Sequence, residues 1–446
     1  MALVLDQKAT DVRTQLLERC VRERILVVDG AMGTSIQALD LSPDDFGGEE
    51  FDGCNENLNL VLPEAILGIH RRFLEAGADI IETNTFGSAP VVLAEYGIEH
   101  LAREISREAA IIARQAVTEV ATPDRPRFVA GSMGPTTKAI SVTGGVTFDE
   151  MQAHYREQAL GLLEGGADFL ILETGQDTLN IKAGTLGIAE AYEIGGRRVP
   201  LILSGTIEPM GTMLAGQGIE AFYTSFEHLD LFAVGLNCAT GPSFMTDHLR
   251  SLSAIAQGFV SCIPNAGLPD EDGRYNESPD GVAAVLGRFA EQGWVNMVGG
   301  CCGTTPEYTR AIAAAVEGKP PRRPVTKRYS RVSGIEFLSL EEENRPIIVG
   351  ERTNVIGSRK FKKLVRLKRY QSICQNYQEN AANKKPDDNL LVTVQPSCIL
   401  FTAETAKIAE VINYFCWVKF PILLAKQKFM FLLINLYSQR APRALW

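Results

Sequence analysis

The sequence predicts a closed (β/α)8 TIM barrel followed by a linker and an incomplete second α/β segment. Three observations carry this reading. Through roughly the first 320 residues a short apolar run repeatedly gives way to a longer amphipathic stretch, about eight times in all. The runs show no polar alternation, as expected of strands buried on both faces of a parallel sheet. Most of them end on an acid, an amide, a hydroxyl or a thiol, which is where a barrel of this kind keeps its working residues.

In chain order the runs are ILVVDGAMGT from Ile25, ADIIETNTFG from Ala78, RFVAGSMGPT from Arg127 and ADFLILETGQD from Ala167. They continue as VPLILSGTIEP from Val199, LFAVGLNCATG from Leu231, GFVSCIPNAGLP from Gly258 and VNMVGGCCGTT from Val295. Between them lie helical stretches such as LPEAILGIHRRFLEAG, FDEMQAHYREQALGLLEGG and GVAAVLGRFAEQG, the last two closing on a Gly suited to a C-cap. The stretch EHLAREISREAAIIARQAVTEVA is built of strong helix formers. An open doubly wound sheet would alternate in the same way. However, GAMGT after the first run lacks the G-x-G-x-x-G fingerprint, and the number of units and their polar ends favour the barrel.

Near Pro320 the texture changes. EGKPPRRPVTKRYSRVSGIEFLSLEEENRP is rich in proline and charge and reads as a linker over 319–345. PIIVGERTNVIGSRKFKKLV then reads as a strand and a basic helix start, the opening of a second α/β domain over 346–368. From 369 to 446 no element pattern emerges. Lys419, Lys426 and Lys428 interrupt the apolar tail well short of the ~20 residues needed to span a bilayer. The tail reads as a truncated or frame-altered end that is buried, misfolded or disordered.

The 446 residues carry a formal charge of -10, which excludes a nucleic-acid backbone or an anionic membrane as main partner, since both require a basic patch. The N-terminus shows no basic region followed by an apolar one, so the expected compartment is the cytosol. There the nine cysteines would be reduced and available to a metal.

Reading off the strand ends gives Asp29, Glu82 with Asn84, Ser132, Glu173, Ser204, Asn237 with Cys238, Asn265, and Cys301 with Cys302. Any single Asn or Ser among these is as readily a loop or cap residue. The cysteines say more. Strands six and eight flank strand seven, so Cys238, Cys301 and Cys302 are expected to converge on one side of the barrel mouth. The glycines of GGCCG permit a turn that aims both adjacent thiols at one ion. Soft thiolates select zinc, and three protein ligands leave the open fourth position of a catalytic site. Three thiolates make zinc a poor activator of water but suit it to hold a substrate thiol, lowering its pKa from ~8.5. A redox pair at Cys301 and Cys302, or inert buried thiols, are the competing readings; a redox pair is normally spaced C-x-x-C. Cys262, inside strand seven, reads as core. Cys20, Cys54, Cys374, Cys398 and Cys416 have no partner pattern. His70, His100, His154, His228 and His248 fall in helical stretches and read as surface or packing residues.

DGAMGT at Asp29, ETNTFG at Glu82, GSMGP at Gly131, LETGQD at Leu172, GLNCATGP at Gly235, PNAGLP at Pro264 and GGCCGTTP at Gly299 together resemble the homocysteine-binding zinc barrels. These methyltransferases include the N-terminal module of cobalamin-dependent methionine synthases and the betaine- and S-methylmethionine-dependent enzymes. The resemblance covers roughly residues 1–367. GERTNVIGSRKF at Gly350 is similar to the opening of a folate-binding barrel, which favours the cobalamin-dependent group.

The resemblance implies a homocysteine-binding barrel over 1–318 and the start of a folate-binding domain over 346–368. It implies Zn2+ on Cys238, Cys301 and Cys302, and homocysteine's amino-acid end near Asp29 and Glu173, with Gly30, Thr174 and Asn237 as further substrate-binding residues. The methyl donor it implies is methylcobalamin or a cobalamin-binding module, supplied ultimately by methyltetrahydrofolate, with the cobalamin and folate sites outside this chain. The alternatives are a homocysteine- and zinc-binding fragment without turnover, and a methyltransferase using S-methylmethionine.

Overall fold

The structure, a computed structural model, describes residues 7–271, 273–327, 329–344 and 359–366. They fall in two units, 1–327 and 328–446. The eight apolar runs are eight parallel strands: β1 (Leu26–Val27), β2 (Ile80–Glu82), β3 (Phe128–Met133), β4 (Phe169–Gly175), β5 (Leu201–Gly205), β6 (Ala233–Asn237), β7 (Phe259–Ile263) and β8 (Met297–Val298). Strands two to eight pair each with the next, and Leu26 and Val27 of β1 pair with Met297 and Val298 of β8. The parallel bridge between Val28 and Ile80 joins β1 to β2 and completes the ring.

Strand residues alternate between two cores, which explains the runs' uninterrupted apolarity. Leu26, Val28, Ile80, Phe128, Phe169, Ile171, Ile202 and Met297 fill the barrel interior. Val27, Ile81, Val129, Leu170, Leu203 and Val260 face the helices. After helix α1 (Gln7–Glu23), one main helix follows each strand: α2 (Pro63–Ala76), α3 (Ala102–Val120), α4 (Phe148–Gly165), α5 (Thr178–Gly195), α6 (Ile219–Phe226), α7 (Thr246–Ile255), α8 (Pro279–Glu291) and α9 (Pro306–Val316). Helix α4 starts in a capping box, Thr147 with Glu150, and stops at Gly166 in the left-handed region. At Gly161 an added Cβ would lie 2.3 Å from the Arg103 carbonyl oxygen, so α3 and α4 approach at backbone distance there.

Helix α1, which the strand count does not anticipate, plugs the N-terminal end of the barrel. Leu17 and Val21 are fully buried against the interior cluster, each stabilising by roughly 1.5–3 kcal/mol. Two buried acids fasten this end. Asp168 accepts from Arg13 Nε at 2.9 Å and from the Val129 N–H at 2.8 Å, and pairs with Arg114 at 2.7 Å. Asp79 pairs with Arg24 at 2.5 Å and Arg127 at 2.6 Å. Burial raises the Asp168 carboxyl, but Arg114 and Arg13 outweigh it and hold the group below its ordinary range.

Within 319–327, Arg322 is buried and donates to the Ser253, Ala256 and Gly258 carbonyls of the barrel. In the second unit, β9 (Arg331–Ser333) pairs antiparallel with β10 (Phe337–Ser339), and a helix, α10, spans Arg359–Arg366 where the sequence reads as a basic helix start. The expected strand near Ile347 and the tail 369–446 lie outside the described residues. Among the described residues no helix is long and apolar enough to cross a membrane.

Replacing Asp168 by Ala strands two arginines and a strand N–H. The expected loss is about 3–5 kcal/mol, read from urea unfolding. A loss under about 1 kcal/mol would mean that the pairs behave as solvated surface contacts.

Candidate metal and substrate site

The ring places the ends of β6 and β8 on either side of β7, and the three cysteines meet there. Cys238 Sγ lies 3.8 Å from Cys302 Sγ, and Cys301 Sγ lies 4.0 Å from Cys302 Sγ. All three sulfurs lie within 4.8 Å of one another, the one such cluster among the described residues, and no histidine joins it. Cys262 is buried inside β7 with its sulfur against that of Met245, a core position as its sequence context indicates.

Local backbone makes this convergence. Cys238 and Ala239 both take positive φ, 61° and 56°, a costly conformation for residues with a Cβ. It is held by bonds from the Cys238 N–H to the Ile263 carbonyl and from Thr206 Oγ1 to the Asn237 carbonyl. In GGCCG, an added Cβ on Gly300 would lie 2.4 Å from Thr304 Oγ1. The Cys301 N–H donates to the Pro264 carbonyl, and the Cys302 carbonyl accepts from the Ala266 N–H. The turn is thus tied to the end of β7. Tyr275, in the loop after β7, hydrogen-bonds to Cys302, and its ring lies 2.4 Å from where a Gly303 Cβ would be. No pattern in the sequence marks Tyr275 as a site residue.

The thiols share protons. Hydrogen bonds from Cys238 and Cys301 push the Cys302 thiol down to about 3, and bonds to Cys238 and Cys302 with burial hold Cys301 well above the ordinary range. Three sulfurs so close cannot all ionise without a cation among them.

Next to the thiols is a well of acids. Glu173, at the end of β4, accepts from Ser132 Oγ at 2.5 Å and from Asn237 Nδ2 at 3.1 Å. Asn237 is oriented in turn: its Oδ1 accepts from the Thr174 N–H at 2.9 Å and Ser204 Oγ at 2.6 Å, and its Nδ2 also donates to Thr174 Oγ1 at 2.6 Å. These bonds hold Thr174 at φ 51°, beside a shift in strand register between Leu172 and Gly175. Burial pushes the Glu173 carboxyl up to about 7, opposed by the Ser132 bond and reinforced by Cys302. Asp29 Oδ2 accepts from the Glu82 N–H at 3.1 Å, while Asp29 Oδ1 and Glu82 Oε1 are sealed from solvent with no hydrogen-bond partner. Burial holds both carboxyls well above the usual range, with the charge of Glu173 adding to it.

The sequence-derived site residues therefore collect in two adjoining groups: the three thiols, and Asp29, Glu173, Thr174 and Asn237. Gly30 serves close packing: an added Cβ would sit 2.7 Å from the Phe73 ring and 2.9 Å from Thr304 Oγ1. Ser132, Ser204 and Glu82 are legible in the sequence only as polar strand ends.

A parallel eight-stranded barrel with a thiol cluster beside an acidic well at its C-terminal mouth defines a class, and residues 26–316 match the sequence model of the homocysteine S-methyltransferase family. The chain belongs to that family of methyltransferases. It is 43% identical over 362 residues to the methionine synthase of Mycobacterium tuberculosis, a stretch covering 80% of this chain and 30% of that protein. The chain thus spans about 30% of the length of the curated relative it matches. Its fold is similar to that of the homocysteine methyltransferase MmuM from Escherichia coli. The metallated form gives a TM-score of 0.53 at 24% identity, covering 67% of this chain and 98% of that one. The oxidized form gives 0.54 at 23% identity, covering 68% and 98%.

The acids of the well give stability a definite pH dependence. The folded-state pKa of Glu173 lies above its unfolded value, so the native state binds the extra proton and loses stability as pH rises from about 4.5 towards 7. Glu173→Gln removes that contribution. Relative to the variant, the ligand-free native chain should lose on the order of 3 kcal/mol across this window, read from denaturant midpoints at stepped pH. Parallel curves for the two proteins would refute it.

Proposed function

We propose that this chain is the homocysteine-activating barrel of a cobalamin-dependent methionine synthase, transferring a methyl group from methylcobalamin to the sulfur of homocysteine to give methionine. The observation that carries this reading is the spacing of the three thiols. Zinc bound tetrahedrally at about 2.3 Å from each sulfur needs sulfurs roughly 3.8 Å apart. The adjacent pairs here stand at 3.8 and 4.0 Å, and the donor set is soft. Cys238, Cys301 and Cys302 would hold the ion and leave one position for the substrate. Zinc so bound lowers the pKa of an entering thiol while leaving its sulfur electron-rich.

The rest of the work falls to the chain. Asp29 Oδ1, buried and without a partner, faces the need for an ammonium group, and a carboxylate–ammonium bond is charge-assisted. Glu173 is fixed for the same task by Ser132 and Asn237, and Ser204 and the Thr174 N–H keep the Asn237 amide from turning. The substrate is thereby tethered at both ends, amine in the well and thiol at the cysteines, which positions the sulfur for attack. Gly30 allows the close approach of Phe73 and Thr304 beneath this point. Methylcobalamin, or a module carrying it, and methyltetrahydrofolate as ultimate methyl source are the partners in this reading. A site of reduced thiols suits the cytosol.

Cys301→Ala should drop zinc content well below about one ion per chain and reduce methionine formation from supplied methylcobalamin to background. Metal analysis and an amino-acid assay on the same preparation check both. Unchanged activity in the variant would sink the proposal. Turnover with S-methylmethionine but not with methylcobalamin would reassign the donor.

A further inference from the structure

The turn that carries Cys301 and Cys302 is gripped from two sides at Gly303, the next residue. Gly303 takes φ 78°, and its N–H donates to Thr34 Oγ1 at 3.1 Å, in the loop after β1. Tyr275 covers it from the loop after β7. A Cβ on Gly303 would lie 2.4 Å from Tyr275 Cγ and 2.6 Å from its Cδ2, so the ring rests directly on the bare glycine. Positive φ and close approach both require glycine there.

Tyr275 is itself held in place. It bridges antiparallel to Pro269, and Asp270 closes the turn by accepting from the Arg274 N–H at 2.8 Å and from Asn276 Nδ2 at 2.9 Å. Just beyond, the Glu277 N–H donates to the Ala266 carbonyl at 3.1 Å, and the Glu277 carbonyl accepts from Tyr308 Oη at 2.5 Å. The half-buried phenol is thereby fixed beside Cys302, and its hydroxyl donates to that sulfur. Two backbone N–H groups, of Ala239 and Cys302, also reach the thiols. Tyr275 adds a side-chain donor from a different loop.

Three thiolates around a divalent ion leave a net negative charge, and a substrate thiolate deepens it. An O–H donated to one sulfur draws off part of its charge. That sulfur then gives less to the metal, and the metal acts more strongly on an entering thiol.

We infer that Tyr275 is a positioning residue of the metal site, whose hydroxyl, donated to Cys302, sets how strongly the metal draws homocysteine in as its thiolate. This rests on the zinc and homocysteine reading above and adds to it a residue and a means of control. The ring on Gly303 fixes where the hydroxyl points, and the hydroxyl limits the charge that Cys302 passes to the metal. The proton of the entering thiol goes to solvent.

The test compares the full chain with Tyr275→Phe, which keeps the ring on Gly303 and removes only the hydroxyl. Both are loaded with cobalt(II), whose thiolate charge-transfer absorption reports the electron density on sulfur. The variant should still take up about one ion per chain. Its charge-transfer band should move to longer wavelength, because Cys302 becomes more electron-rich. Titration with homocysteine at stepped pH should show about tenfold weaker binding at neutral pH, with the loss recovered at higher pH, where the thiol ionises unaided. An unchanged band or an unchanged pH profile would overturn the inference while leaving the function standing. Weakening that is equal at every pH, or loss of the ion, would assign Tyr275 to the structure of the turn and also overturn it. An unaltered chain that takes up no cobalt would remove the metal reading on which the inference rests.

Discussion

The acidic well and its tie to the thiol cluster depend on the closure of a ring of parallel strands. Closure places Val28 beside Ile80 and Leu26 beside Met297, so residues far apart in the chain become neighbours. Without it, β6 and β8 would still flank β7, but β1 would not meet both β2 and β8. Asp29 would then lose either the Glu82 N–H that holds its Oδ2 or the bond that its carbonyl accepts from the Gly300 N–H. The thiol cluster and the acidic well are two parts of one rim, connected through backbone bonds of strand ends.

The two ends of the barrel show how the same residue type does opposite work. Asp168 is buried but has two arginines and a strand N–H, and its carboxyl stays ionised. Glu173 is as buried and has only neutral donors, Ser132 and Asn237, so its carboxyl rises to about 7. The first arrangement fixes a helix against the barrel. The second leaves a buried carboxyl without a cationic partner, at a cost in stability once it ionises.

All eight strands and the three thiols were legible because they rest on local signals: uninterrupted apolar runs, glycines after helices, and cysteines at run ends. Asp29 and Glu173 were legible for the same reason. Other features depend on where a side chain points once the ring has closed, which periodicity does not record. Ser132 and Ser204 look like loop polarity until their hydroxyls are seen to orient Glu173 and Asn237. Tyr275 sits in a polar loop and gains meaning only from its place against Cys302 and Gly303. Helix α1 carries no mark of its role as a plug, because Leu17 and Val21 would suit any amphipathic helix.

The strands that carry the cysteines lie late in the chain, and the last two thiols come after β8. During synthesis, a ribosome must therefore complete nearly the whole barrel before three sulfurs exist to be gathered. The nascent chain offers Cys238 alone until Cys301 and Cys302 emerge, and a single thiolate holds a metal weakly. Gathering the three thiols is in this sense a late event of assembly, possible only once β8 has been laid beside β7.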